Sequence, residues 1–164
     1  WLLVVVGGGG NEDPEASALH QLAEEMGVAG RVLWQYAVPQ EALPDYYAAA
    51  DVCAVPSYHE SFGLVALEAM ACGTPVVAAS VGGLRSLVVD GVTGLLVDPN
   101  TPELFAQRLQ TVLDDPAMQS SMSIAAHQRA ALFPWSTAAS EVASAYRQVM
   151  TRTGHIPTAV PCAG

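Results

Sequence analysis

Two carboxylates, Glu60 and Glu68, flank Ser61-Phe62-Gly63-Leu64, a stretch with the form of a helix start. Ser61 is placed to cap a helix whose first free N–H groups belong to Phe62, Gly63 and Leu64. Such amides, with the positive end of the helix dipole, make an anion site, and Gly63 lets a ligand approach the backbone closely. A phosphate could be held there without lysine, which the chain does not contain. Glu68 is the only charged residue between Ser61 and Leu84, on a helix otherwise apolar all round. A buried carboxylate costs several kcal/mol unless it is paired or hydrogen-bonded. Two vicinal hydroxyls would satisfy its two oxygens, and a position one turn inside the anion site suits a nucleotide whose ribose reaches past its phosphates. Glu60, in the preceding loop, is then free to face whatever group the diphosphate carries. The plainer reading, a loop carboxylate and a solvated helix-face carboxylate, fits the apolar surroundings of Glu68 less well.

The elements that must position these residues alternate. Leu2 to Val6 is a β-branched run closed by four glycines, as for a strand buried in a parallel sheet. A helix follows, with Asp13 as N-cap, Pro14 at its first position, Leu19, Leu22, Ala23 and Met26 at helical spacing, and Gly27 as its stop. The pattern repeats as strand 31–34, helix 39–50, strand 52–56, helix 62–71, strand 75–79, a turn through Gly82 and Gly83, and strand 94–97. Alternation of this kind predicts an α/β fold, a Rossmann-like doubly wound parallel sheet, with ligands outside the carboxyl ends of the strands. From Pro102 only helices are expected, at 102–113, 116–132 and 135–150. Residues 1–151 read as one domain and 152–164 as a loose tail.

Composition narrows the partners. A chain of 164 residues, 51% hydrophobic and 13% charged, must have a substantial interior. A formal charge of −10 leaves nothing to neutralise a phosphate backbone, so nucleic acid and anionic membrane surfaces are poor partners. Cys53, Cys72 and Cys162 lack metal-ligand or redox spacing, and free thiols point to a reducing compartment, the cytoplasm. No metal site is expected. A chain opening on Trp1 rather than Met reads as an excerpt of something longer.

The segments Ala50-Asp51 through Pro56-Ser57, Glu60-Ser61-Phe62-Gly63, Glu68 through Val77, Gly82-Gly83 and Asp90-Gly91-Val92-Thr93-Gly94 resemble the donor-site signature of glycosyltransferase family 4. Its motif of two glutamates with seven residues between them is matched by Glu60 and Glu68. The resemblance implies the C-terminal, donor-binding half of a GT-B fold, with Glu68 on the ribose hydroxyls and Glu60, the catalytic candidate, on the transferred sugar. It places the amides of Phe62, Gly63, Leu64 and Val65 against sugar hydroxyls and phosphate, with Ser61 among the donor-binding residues. Phe133-Pro134-Trp135-Ser136 and Tyr146 look like the family's closing helix. The family implies transfer with retention of anomeric configuration, no required metal or cofactor, and a UDP-sugar as donor substrate. It also implies an acceptor bound by an N-terminal domain outside this chain, along with the Arg and Lys that clamp the diphosphate. Any peripheral membrane contact would come through that half, and the interdomain face, once exposed, would invite self-association. Ser57 to Gly83 most resembles the inositol-phosphate N-acetylglucosaminyltransferase and sucrose-phosphate synthase branches. A nucleotide-sugar epimerase and a non-catalytic nucleotide-binding module are the competing readings.

Other residues carry weaker signals. Gly8 and Gly9, in the run Gly7 to Gly10, could face the nucleotide or form a tight turn. Gly82, Gly83 and Asp90-Gly91 read as turns, although the family places the Gly82-Gly83 loop beside the nucleotide. His59 reads as a solvated loop residue over a sugar contact, Trp34 to Tyr36 as core or a lodging for a base, and Arg85 as one half of a surface ion pair over a phosphate contact.

Overall fold

The computed structural model describes residues 1–7 and 14–153. Two compact units can be distinguished, residues 1–49 and 50–164. In the first, β1 (Leu3–Val6) pairs in parallel with β2 (Val32–Gln35), Leu3 opposite Val32 and Val6 opposite Gln35. Between them runs α1 (Pro14–Glu25), beginning at the expected proline. It ends at Gly27, whose φ of +67° lets the amides of Gly27 and Val28 turn back to the carbonyls of Glu24 and Ala23. Of its apolar stripe only Ala23 is buried within this unit, while Leu19, Leu22 and Met26 are exposed. The predicted helix 39–50 opens as a 3₁₀ turn, Gln40–Ala42, and continues as α2 (Leu43–Ala49). Asp13 and the glycines Gly8 and Gly9 lie outside the described residues.

The second unit holds the core. Its parallel sheet has the order β3 (Cys53–Val55), β4 (Val76–Ala79), β5 (Gly94–Val97), so that among the described residues all strand pairing is parallel, as expected of the α/β fold, and is divided between the two units. Val76 to Ala79 are wholly buried, which is why β4 reads as an unbroken apolar run. Val77, Ala79, Leu95 and Val97 form one core with Phe105, Val112 and Met122. Burial of each of the larger of these side chains contributes about 1.5–3 kcal/mol relative to exposure. Gly94 is required here, since a Cβ would lie 2.1 Å from the Val76 carbonyl oxygen.

Phe105 and Val112 come from α5 (Pro102–Leu113) and Met122 from α6 (Pro116–Ala130). Both helices have proline in the first turn and a side-chain cap: Thr101 accepts from the Leu104 amide, Asp115 from those of Ala117 and Met118. α6 packs on α3 (Leu64–Ala71), and its His127 Nδ1 lies 2.7 Å from the Ala71 carbonyl oxygen. α7 (Trp135–Thr153) runs three residues beyond the expected Met150, so the first two residues of the predicted tail are helical and the rest lie outside the described residues. A short α4 (Leu84–Leu87) follows Gly82-Gly83, where only a turn was expected.

Candidate functional site

The loop leaving β3 carries the candidate residues, and three supports fix it. Asn100, just beyond β5, donates from Nδ2 to the Ser57 carbonyl at 3.2 Å and the Pro56 carbonyl at 3.5 Å. The Gly83 amide donates to the Glu60 carbonyl at 3.1 Å. Phe62 meets Phe133 edge-on, with ring centroids 6.0 Å apart.

These contacts explain Gly82 and Gly83, which the sequence presents as a turn. A Cβ on Gly83 would lie 2.5 Å from the Ser61 carbonyl oxygen and 2.6 Å from the Phe62 Cα, and one on Gly82 closer still to Glu60. The two glycines are a bed for the backbone of Glu60 to Phe62.

Helix α3 begins two residues later than expected, and Ser61 does not cap it. Gly63 occupies the N-cap position at φ 98° and ψ 48°, with no side-chain cap, and its carbonyl accepts from the Leu67 amide at 2.9 Å. The Phe62 amide instead donates to Glu60 Oε1 at 3.4 Å, and the chain enters the helix through Gly63 in the left-handed region. A Cβ on Gly63 would also strike Leu84 Cδ2 at 2.7 Å. The first amides of α3, those of Leu64 and Val65 among them, therefore lack intrahelical partners. The Leu64 and Val65 side chains are exposed.

The structure thus brings Glu60, Ser61, Phe62, Gly63, Leu64 and Val65 together at one loop–helix junction, with Glu60 half-buried. Glu68 stands one turn further along α3, half-buried, so the helix face it occupies is less enclosed than its apolar sequence implies. At the end of α3, burial first and the Glu68 charge second raise the Cys72 thiol. Burial pushes the Cys53 thiol, on β3, up to about 11. Both thiols are free and stay protonated near neutrality, which makes them poor nucleophiles.

Arg85 makes the surface ion pair expected of it, with Asp98 at 4.0 Å, and also donates to the Ser80 carbonyl. Asp90 closes its turn by accepting the Leu96 amide at 2.8 Å. His59 is exposed, and Trp34 stacks at a tilt on His20 within the first unit. Asn100 was not singled out by sequence, although its place after a strand puts it at the end of the sheet where ligands bind. Among the described residues no cluster of His, Cys, Asp or Glu could hold a metal ion, and no helix is long and apolar enough to cross a membrane.

Parallel strands with flanking helices, an uncapped helix start after β3 and carboxylates before and within that helix define the class: a Rossmann-like α/β module. The family model for glycosyl transferases group 1 matches residues 1–129, and the chain belongs to that family. It is 47% identical over 152 residues to the D-inositol 3-phosphate glycosyltransferase of Thermobispora bispora, a match covering 92% of this chain and 36% of that protein. Among solved structures it resembles the sucrose-phosphate synthase of Thermosynechococcus elongatus, at 41% identity and a TM-score of 0.85 over 92% of this chain and 39% of that one. It also resembles Anabaena HepE in complex with UDP, at 30% identity and a TM-score of 0.82 over 90% of this chain and 41% of that one. The chain spans little more than a third of the length of the curated relatives it matches.

Proposed function

We propose that this chain is the donor-binding half of a retaining glycosyltransferase, which transfers a hexosyl group from a UDP-sugar to an acceptor held by a part of the protein outside it. The observation that carries the reading is the pair Glu60 and Glu68 flanking the uncapped start of α3. The UDP in the HepE complex supports the choice of nucleotide.

In this reading Glu68 accepts the two ribose hydroxyls, and the amides of Leu64 and Val65, with the dipole of α3, receive the diphosphate. Glu60 directs its carboxylate to the sugar, and Ser61, Phe62 and Gly63 line the same junction. The charge developing on the departing diphosphate is stabilised by these preorganised donors, supplemented by cationic side chains from outside the chain. By resemblance to the family, no metal or cofactor takes part; the free thiols of Cys53 and Cys72 support a cytoplasmic site of action. The exposed Phe62, Leu64, Val65, Leu132, Trp135 and Tyr146 support self-association of the isolated chain.

The test is made on the full-length protein. Wild type should transfer the sugar with its anomeric configuration kept, read by NMR of the product, and Glu60→Gln should lower the rate at least about 100-fold while UDP still binds. Inverted product, or an unchanged rate in the variant, would overturn the reading.

A further inference from the structure

One guanidinium joins two elements that support the Glu60–Phe62 loop, α4 and Phe133. Arg129, in the last turn of α6, donates from Nη2 to the Ser86 carbonyl at 2.7 Å and from Nε to the Leu87 carbonyl at 3.3 Å. Those carbonyls close α4, the helix that begins directly after Gly82-Gly83 and so fixes the bed on which Glu60 to Phe62 lies. The Cζ of the same side chain stands 5.2 Å over the ring of Phe133, and Phe133 meets Phe62 edge-on at an interplanar angle of 75°. Phe62 in turn presents its amide to the Glu60 carboxylate.

We propose that Arg129 is a positioning residue for the donor loop, holding Glu60 through Phe133 and Phe62 on one side and through α4 and the glycine bed on the other. The residue type fits the task. Guanidinium is planar, offers several donors along its edge, and presents a cationic face that an aromatic ring attracts, so a single side chain can cap two carbonyls and seat a ring at once. Lysine could keep the charge over the ring but not both carbonyls. The functional consequence rests on the reading of this junction as the donor site. There the loop meets the sugar and Glu68 meets the nucleoside, so loosening the loop should weaken the contribution of the sugar and leave that of the nucleotide.

The experiment compares Arg129→Met, Arg129→Lys and Phe133→Leu with wild type by amide hydrogen exchange and by titration with UDP and UDP-glucose. In Arg129→Met, exchange at Ser61 to Leu64 should rise about fivefold or more with the α5 amides unchanged. UDP affinity should stay within about twofold, while the gain from the attached glucose shrinks about fivefold. Arg129→Lys should recover part of that loss. Unchanged exchange at Ser61 to Leu64, or equal weakening of UDP and UDP-glucose, would overturn the proposal. If Arg129→Met does not fold, Phe133→Leu carries the same comparison. If wild type binds neither nucleotide but the variants still loosen Ser61 to Leu64, the positioning role stands and the donor-site reading falls.

Discussion

The Glu60 carbonyl oxygen lies where a side chain on Gly82 would begin, 1.7 Å from the position of its Cβ. The placement of the candidate catalytic carboxylate therefore depends on an absence 22 positions further along the chain, reinforced by the Gly83 amide on the same carbonyl. Gly82 also sits at φ 45°, a conformation other residues rarely adopt.

Gly82→Ala should displace the Glu60 peptide and cost about 1–3 kcal/mol of stability from strain and overpacking together. Thermal unfolding reads the stability, and loss of UDP-sugar binding in the folded fraction reads the displacement. An alanine variant that binds as wild type would show that the close approach is not needed.

Asn100→Asp keeps the shape of the side chain but replaces a donor with a carboxylate facing the Ser57 and Pro56 carbonyls. A loss of about 1–3 kcal/mol is expected in urea denaturation, the cost of leaving such groups unpaired. UDP-sugar titration should weaken with it, because Ser57 anchors the loop that ends in Glu60.

How much of this was legible follows from what each residue's signal is made of. β5 and α5 match their predicted bounds because local features mark them, a glycine opening the strand and the Thr101-Pro102 start of the helix. The start of α3 was misplaced because Ser61 is a good cap by type, while Gly63 and the Glu60 carboxylate compete for the same turn through geometry that no spacing rule contains. Gly82 and Gly83 look like any turn until the loop across from them is known. Asn100 and Arg129 act over 43 residues, on carbonyls that have no sequence identity. The glutamate pair stood out as a candidate because a lone charge in an apolar helix needs an explanation; the bed beneath it left no such mark.

Asp115→Ala removes the cap that accepts the Ala117 and Met118 amides, at 3.0 and 2.9 Å. It should lower stability by about 1 kcal/mol in thermal unfolding and leave nucleotide binding unchanged. This makes it a control that separates general destabilisation from damage to the donor junction.

Cys53 gives the fold an alkaline limit. Its thiol is raised from 9.0 to about 11 by burial, so the unfolded chain releases this proton first. The stability gained by keeping the thiol neutral is complete below pH 9 and is lost as pH rises toward 11, on the order of 2–3 kcal/mol. Urea denaturation at pH 8.5 and 10.5 should show a smaller drop for Cys53→Ala than for wild type.

The account stands most directly on Glu68, and calorimetric titration of the chain with UDP, GDP and UDP-N-acetylglucosamine, repeated on Glu68→Ala, tests it. UDP species should bind in preference to GDP, and the variant should lose about 1–3 kcal/mol of that binding because the ribose hydroxyls lose their acceptor. Equal binding of UDP by wild type and a folded Glu68→Ala variant would contradict the assignment of α3 as the donor helix.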